Sequence, residues 1–309
     1  MKSIGIFAVP GKPQAVVLGR QLAELATRAG LEVREQFEQD TLPLQGGDGC
    51  LVGDDVASCD VLICLSGDGG VLAAARAAAK FQTPVLAVDL GRLGFLSTVR
   101  PDDIESAFAR LMNGEFEVEE RMMLDARVLR SRDADKLAEA LADPLADTSP
   151  FEIGGGIALN DAVVAKSALA RILRLSIYAS GELVAQIRAD GLIVSTPTGS
   201  TAYALSAGGP IVPPDVELLL CAPICAHTLN QRPIVVGADE TLDVCAEWEG
   251  DEVQQERLDT MLTLDGQVGV ILRPSDVVRV RRSSMVARLL RDPNDSFYAR
   301  LRLKMAWGD

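Results

Sequence analysis

Ser66-Gly67-Asp68-Gly69-Gly70 places one carboxylate among small residues, between an apolar run (Val61–Leu65) and an alanine-rich stretch (Val71–Lys80). A glycine-rich turn that joins a strand to a helix exposes backbone N–H groups. The helix N-terminus adds positive potential, and together these bind phosphate. Glycine permits an approach that a Cβ would block. A carboxylate repels phosphate, so Asp68 points to chemistry beside the phosphate, either a hydroxyl to orient and deprotonate or a metal to hold. The plainer alternative is an ordinary turn with Asp68 as a helix cap.

Three further blocks carry polar groups that a core would not. Asp89-Leu90-Gly91-Arg92-Leu93-Gly94-Phe95-Leu96 follows an apolar run at Pro84–Val88. Loops at the carboxyl ends of parallel strands form ligand crevices. Asn160-Asp161 pairs an amide with a carboxylate, so it can meet both donors and acceptors of a ribose or a base edge. Arg188 to Pro210 packs seven hydroxyl side chains between Ser195 and Ser206, after the run Asp190-Gly191-Leu192-Ile193-Val194. It reads as a strand that enters a hydroxyl-lined binding loop. Gly46-Gly47-Asp48-Gly49 spells a similar turn, but no strand leads in and no helix leads out, so it reads as a surface loop.

The elements around these residues change character along the chain. Ile4–Val9 reads as a buried strand and residues 14–29 as a helix closed by Gly30. With 61–65, 71–80 and 84–88, this alternation argues a parallel α/β sheet. From about residue 118, short β-rich segments follow at 122–130, 157–165, 171–179, 183–188, 191–195, 233–236, 241–248, 261–264, 268–272 and 277–281, the spacing of an antiparallel sandwich. Residues 131–150 are polar and acidic, a surface excursion with one helical turn. Helical spacing returns over 295–307.

The 309 residues, 48% hydrophobic and 24% charged, make a folded chain, and 30 basic against 44 acidic residues leave a net charge of −14. Such a chain is poorly suited to nucleic acid or anionic membrane surfaces. One histidine, His227, excludes histidine-rich metal sites, and the six cysteines are too sparse for a disulfide scaffold and read as reduced core residues. No apolar run reaches the ~18 residues that span a bilayer, and the first ten residues do not form a signal peptide. The cytoplasm is the expected location. Nine acids between 239 and 259 and eight bases between 279 and 304 read as solvated faces, with an intersubunit or interdomain contact between them as the sharper alternative.

In order and spacing, these blocks resemble the NAD kinase family. The resemblance runs through Ser66–Gly69, Leu93–Leu96, Arg121–Leu124, Asn160-Asp161, 188–210, His227–Pro233, Leu264-Asp265-Gly266-Gln267 and the end, Phe297–Gly308. It implies an α/β plus all-β fold. A Rossmann-like parallel α/β domain (1–117, with 283–309) would precede a β-sandwich domain (118–282), with the C-terminal helix returning to the first. It implies phosphoryl transfer from ATP or polyphosphate to the 2′-OH of the adenosine ribose of NAD, with Mg²⁺ or another divalent metal carried by the donor, in a homodimer or homotetramer.

Asp68 would be the proton acceptor. A carboxylate, ordinarily near ~4, is a weak base and would act late. Gly67, Gly69 and Gly70 would face the donor phosphates. Phe95, Asn160, Asp161, Arg171, Arg188, Asp190, Thr201, Ala202, Tyr203, Ser206 and Gln267 would contact the nucleotides, with Tyr203 able to stack on a base. The alternatives are a non-catalytic NAD or NADP sensor and a lipid kinase that shares the Gly-Asp-Gly turn. The chain departs from the family pattern at Ser66 (usually Gly), Gly70 (often Thr or Asn) and Asp89 (often Asn).

Overall fold

The computed structural model describes all residues except 10, 38–51, 92–93, 144–145, 167–171, 229, 249–259 and 308–309. The chain divides into two compact units. One holds the described parts of 1–42 and 50–121 together with 285–309, and the other holds those of 122–284.

In the first unit, β1 (Ser3–Ala8), α1 (Pro13–Arg28), β2 (Glu32–Gln36), α2 (Asp54–Ala57), β3 (Val61–Ser66), α3 (Asp68–Ala79), β4 (Val85–Asp89) and α4 (Ile104–Met112) follow in order. The strands run parallel in the order β2-β1-β3-β4. Helix α1 starts on Pro13 and stops where Gly30 turns to φ +79°, a backbone that glycine adopts without strain. Its Ala15, Leu22, Ala23 and Ala26 face the sheet at helical spacing. Strand β2 was not foreseen. It is a polar edge strand, Glu32-Val33-Arg34-Glu35-Gln36, with no apolar run to mark it.

Every strand residue of β3 is buried, and so is α3 from Val71 to Ala79. Alanine loses no side-chain entropy in a helix and lets it lie close to a sheet. Helix α3 begins at Asp68, three residues earlier than expected, so Asp68 stands in its first turn. Strand order reverses between β1 and β3, where open α/β sheets bind ligands beyond the carboxyl ends of their strands. Ser66 and Gly67 lie at that end of β3.

The second unit is a sandwich. Its strands are β5 (Glu117–Leu129, whose first residues belong to the other unit), β6 (Glu152–Ala158), β7 (Asp161–Lys166), β8 (Leu173–Ala179), β9 (Glu182–Ala189), β10 (Gly191–Ser195), β11 (Leu218–Ile224), β12 (Ile234–Gly237), β13 (Leu242–Trp248), β14 (Thr260–Leu264), β15 (Val268–Leu272) and β16 (Val277–Arg291). One layer is antiparallel in the order β12-β11-β10-β7-β14-β15, and the other includes β16-β13-β8-β9 and the β5-β6 hairpin. Alternate residues such as Leu124, Val164, Leu175, Leu192, Val244 and Leu262 meet in one core.

Several expectations change here. The expected strand 157–165 is two strands that part at Leu159-Asn160. Strand β11, Leu-Leu-Leu-Cys-Ala-Pro-Ile, was missed because a continuous apolar run lacks the alternation that marks a half-buried strand. The excursion 131–150 holds a nine-residue helix, α5 (Ala134–Ala142), longer than the expected single turn. The Asp133 carboxylate caps it by accepting from the Lys136 N–H. Leu137 docks it into a small cluster with Leu129 and Val277, and this burial is what the acidic composition concealed.

One pair from the two charge runs meets inside this unit, which is neither a solvated face nor the interdomain or intersubunit contact expected. Buried Arg279 donates Nε and Nη2 to Asp243 at 2.8 Å each, across neighbouring strands β16 and β13. Cys59, Cys64 and Cys221 are buried and free, but Cys225 is exposed at φ +48°, so it is not the core residue expected; Cys50 lies outside the described residues. Burial pushes the Cys64 and Cys221 thiols up to about 12, which keeps them protonated and inert. Among the described residues no helix is long and apolar enough to cross a membrane. The chain returns to the first unit through the end of β16, where Leu289 pairs in parallel with Val85, and ends in α7 (Phe297–Met305).

Candidate functional site

In the first unit the Asp68 side chain is held by backbone. Its Oδ2 accepts from the Phe95 N–H at 2.9 Å and its Oδ1 from the Leu96 N–H at 3.3 Å. The loop that supplies these donors is shaped by a second acid. Asp89, 4% exposed, accepts from Gly91 N–H at 2.9 Å and Gly94 N–H at 3.1 Å. A carboxylate can take both donors at once, whereas an amide oxygen with its NH₂ beside it could not do so symmetrically. Gly94 then lies against Asp68, and a Cβ there would stand 1.7 Å from Asp68 Oδ1. The block 89–96 thus gains a role that spacing alone did not show: Asp89 folds the loop, Gly94 admits the carboxylate, and Phe95 and Leu96 hold it. Arg92 and Leu93 are outside the described residues.

The turn itself explains two departures from the family pattern together. A Cβ on Gly70 would meet Ser66 Oγ at 2.0 Å and Ser66 Cβ at 2.5 Å. Ser66, fully buried, fills the space that Gly70 leaves, so a side chain at 66 requires none at 70. Ser66 is not among the residues with positive φ, so serine is unstrained there. A Cβ at Gly67 would meet nothing within 4 Å, and Gly69 is exposed at the start of α3.

In the second unit, three segments converge on Asn160-Asp161. Asp265 accepts from the N–H groups of Leu159, Asn160 and Asp161 at 3.1, 2.7 and 3.3 Å. It projects from a hairpin turn whose central residues, Asp265 and Gly266, have φ +51° and +65°, the signs of a type I′ turn. On the other side, the Asn160 carbonyl accepts from the Thr196 N–H at 2.9 Å and from Ser195 Oγ at 3.2 Å. Gly199 is obligatory there, since its Cβ would lie 2.2 Å from that carbonyl. Asp265 was quoted only as part of a motif. Its Asp-Gly pair between two strands was the available signal.

This packing leaves Asp161 5% exposed, with no hydrogen bond to its carboxylate among the described residues. Burial, and then the charge of Asp265, push its carboxyl up to about 7. It is therefore half-protonated near neutrality and can donate as well as accept.

The hydroxyl-rich segment divides into two roles. Ser195, Thr196, Thr198 and Ser200 are buried. Thr196 Oγ1 donates to the Leu159 carbonyl at 2.6 Å, and Ser200 Oγ donates to the Pro197 carbonyl at 2.6 Å and accepts from Val212 N–H at 3.0 Å. The expectation that the whole set lines a binding loop is corrected: these hydroxyls brace the backbone where an irregular chain lacks ladder partners. Thr201, Ala202, Tyr203 and Ser206 remain accessible, with Tyr203 46% exposed on the short helix α6 (Tyr203–Ser206). Arg188 points outward from β9, and Asp190, at the end of that strand, pairs with Lys166 at 2.9 Å. Lys166 was not foreseen. Gln267 closes the 264–267 turn through its N–H. Arg171 and Gly46–Gly49 lie outside the described residues. Among the described residues no group of three or more acidic, histidine or cysteine side chains could hold a metal.

Comparison with known proteins now bears on this geometry. Residues 51–116 match the ATP-NAD kinase N-terminal domain and residues 159–291 the ATP-NAD kinase C-terminal domain. The NAD kinase of Geobacter sp. (strain M21) is 37% identical over the whole of both chains. The chain belongs to the NAD kinase family. The NAD kinase of Moorella thermoacetica is 42% identical over 82% of this chain and 74% of its own. The fold is shared with an NAD kinase from Archaeoglobus fulgidus solved with ATP (TM-score 0.72, 22% identity, 99% of both chains). It is shared also with yeast NADH kinase solved with NADH (TM-score 0.79, 21% identity, 100% of this chain and 89% of that one). Family membership makes the chain a kinase that acts on NAD, and the sensor and lipid-kinase alternatives are not favoured.

Proposed function

We propose that the chain transfers the terminal phosphoryl group of ATP, or a unit of polyphosphate, to the 2′-OH of the adenosine ribose of NAD, giving NADP. In this reaction the ribose oxygen bonds to phosphorus, the bond from phosphorus to the bridging oxygen breaks, and ADP, or the polyphosphate shortened by one unit, leaves. The ribose proton passes to the Asp68 carboxylate. One observation carries the reading: Asp68 is fixed by the Phe95 and Leu96 N–H groups at the carboxyl end of a parallel strand and in the first turn of a helix. Two N–H bonds fix the carboxylate's direction before substrate arrives, which is what positioning a hydroxyl requires.

Gly67 and Gly69 keep the start of α3 open to donor phosphates, while Gly70, placed with them on family resemblance, packs against Ser66 and donates its N–H to the Gly67 carbonyl. Asn160 and Asp161, with Arg171, Arg188, Asp190, Thr201, Ala202, Tyr203, Ser206 and Gln267, belong to the nucleotide contacts on family resemblance. Asp68 and Asp89 each accept from two backbone N–H groups, but Asp89 is buried while Asp68 is half-buried, so of these two Asp68 is the one with room to meet a metal. One carboxylate beside phosphate oxygens suits Mg²⁺ carried by the donor, which neutralises charge on the transferring group. Homo-oligomeric assembly and a cytoplasmic location complete the reading.

The test is product identity. Pure protein with NAD, ATP and Mg²⁺ should yield a dinucleotide that an NADP-specific dehydrogenase reduces and whose phosphorus NMR signal is that of a 2′-phosphate. A 3′-phosphate, or no phosphorylated dinucleotide with any donor, would overturn the assignment.

A further inference from the structure

The C-terminal helix reaches the loop that holds Asp68. Arg300 Nη1 donates to the Phe95 carbonyl, and the N–H of that same peptide unit, Leu96 N–H, donates to Asp68 Oδ1 at 3.3 Å, beside the Phe95 N–H on Oδ2 at 2.9 Å. One turn later on the same helix face, Lys304 Nζ lies 5.8 Å from the centre of the Phe95 ring. Helix α7 therefore grips Phe95 at two points, its carbonyl and its ring. The grip is fixed from behind: Asp295 accepts from Arg300 Nη2, and Leu301 buries its side chain to 6% exposure. Arg300 itself is 10% exposed at the side chain.

We propose that Arg300 is a positioning residue for phosphoryl transfer, acting through the Phe95–Leu96 peptide to hold the Asp68 carboxylate in line. The inference rests on the reading of Asp68 as proton acceptor. A peptide whose carbonyl accepts from a guanidinium is polarised, so the Leu96 N–H of the Phe95–Leu96 peptide is anchored and strengthened as a donor to Asp68 Oδ1. Burial and then Arg121 and Arg291 pull the guanidinium below its usual range, while Asp68 and Glu119 pull it back, which places Asp68 within electrostatic reach of Arg300. Glu119 also accepts from Arg121 and Arg291. This keeps the arginine cluster from becoming an uncompensated positive patch.

The account makes Arg300 a residue of the transfer step and not of nucleotide binding. In Arg300→Met, kcat should fall about 10- to 100-fold, the scale of a misplaced catalytic group, with KM for NAD and for ATP within about twofold of wild type. Arg300→Lys, which restores one charged donor, should recover most of the loss. In an Asp68→Asn background, Arg300→Met should cost nothing further, because there is no carboxylate to place. A kcat within twofold of wild type for Arg300→Met would overturn the proposal, as would equal further loss in the Asp68→Asn background. If Arg300→Met does not fold, Arg300→Gln, which removes the charge but keeps a polar side chain, and its double variant with Asp68→Asn carry the same comparison, with a loss expected for the first and none further for the second. A fully active Asp68→Asn would instead remove the reading of Asp68, an outcome distinct from an unaffected Arg300→Met beside an inactive Asp68→Asn.

Discussion

Asp161 and Ser66 each sit where their side chains would ordinarily be unwelcome, and each case gives a measurable consequence. The Asp161 carboxyl is raised to about 7 in the folded chain, against 3.8 for an ordinary aspartate. Below pH ~4 folded and unfolded chains both hold its proton; between ~4 and ~7 only the folded chain does, so stability falls as pH rises through that window and levels off above it. About three units at 1.36 kcal/mol each come to about 4 kcal/mol. Asp161→Asn, which cannot ionise, should therefore gain on wild type from pH 5 to pH 8 by roughly 2–3 kcal/mol in urea-unfolding free energy, the part of that difference that falls above pH 5. A constant gap across the range would contradict the origin given for the shift. For the turn, Gly70→Ala should destabilise by about 1–3 kcal/mol, an overpacking cost. In a Ser66→Gly background the same change should stabilise by up to about 1 kcal/mol, the ordinary alanine-over-glycine preference in a helix. Chemical denaturation of the four proteins measures the sign change; the same sign in both backgrounds would show that Ser66 is not what excludes the Cβ.

At the scale of elements, the loop 89–96 determines where the Asp68 carboxylate points. Gly94→Ala would put a methyl group 1.7 Å from Asp68 Oδ1, and the carboxylate must leave the Phe95 and Leu96 N–H groups. A loss of about 10²-fold in kcat is expected, with thermal unfolding shifted by a few degrees at most. An unchanged kcat would mean that the carboxylate's seat is not needed for turnover. This loop also shows what can be read from residues in a row. The strand, the glycine turn and the alanine-rich helix were legible, since each has a local signature of apolar run, glycine or propensity. That Asp89 folds the following loop was not, because its partners are backbone N–H groups that carry no sequence mark. The four buried hydroxyls of 195–200 were misjudged for the same reason: a serine that braces a carbonyl reads in sequence like one that awaits a ligand.

For the molecule as a whole, two organisations of the chain were visible as a change in rhythm, from long alternating strands and helices to short β-segments at close spacing. The departures at β2, β11 and α5 follow one rule. Pattern reading depends on contrast between a buried and a solvated face, and an edge strand, a fully buried strand and a lightly docked acidic helix each lack it. The net charge of −14 is a property of the same scale. A kinase of this net charge repels anionic substrates at long range, so the positive potential that meets them has to be local, as backbone N–H groups at a helix N-terminus provide. The account as a whole turns on one carboxylate, and the most direct test is to measure NADP formation by wild type, Asp68→Asn and Asp48→Asn side by side, with NAD affinity by calorimetry. The expected result is a loss of about 10²–10⁴-fold in kcat for Asp68→Asn, NAD affinity within threefold, and full activity for Asp48→Asn. Wild-type turnover in Asp68→Asn, or its loss in Asp48→Asn alone, would contradict it.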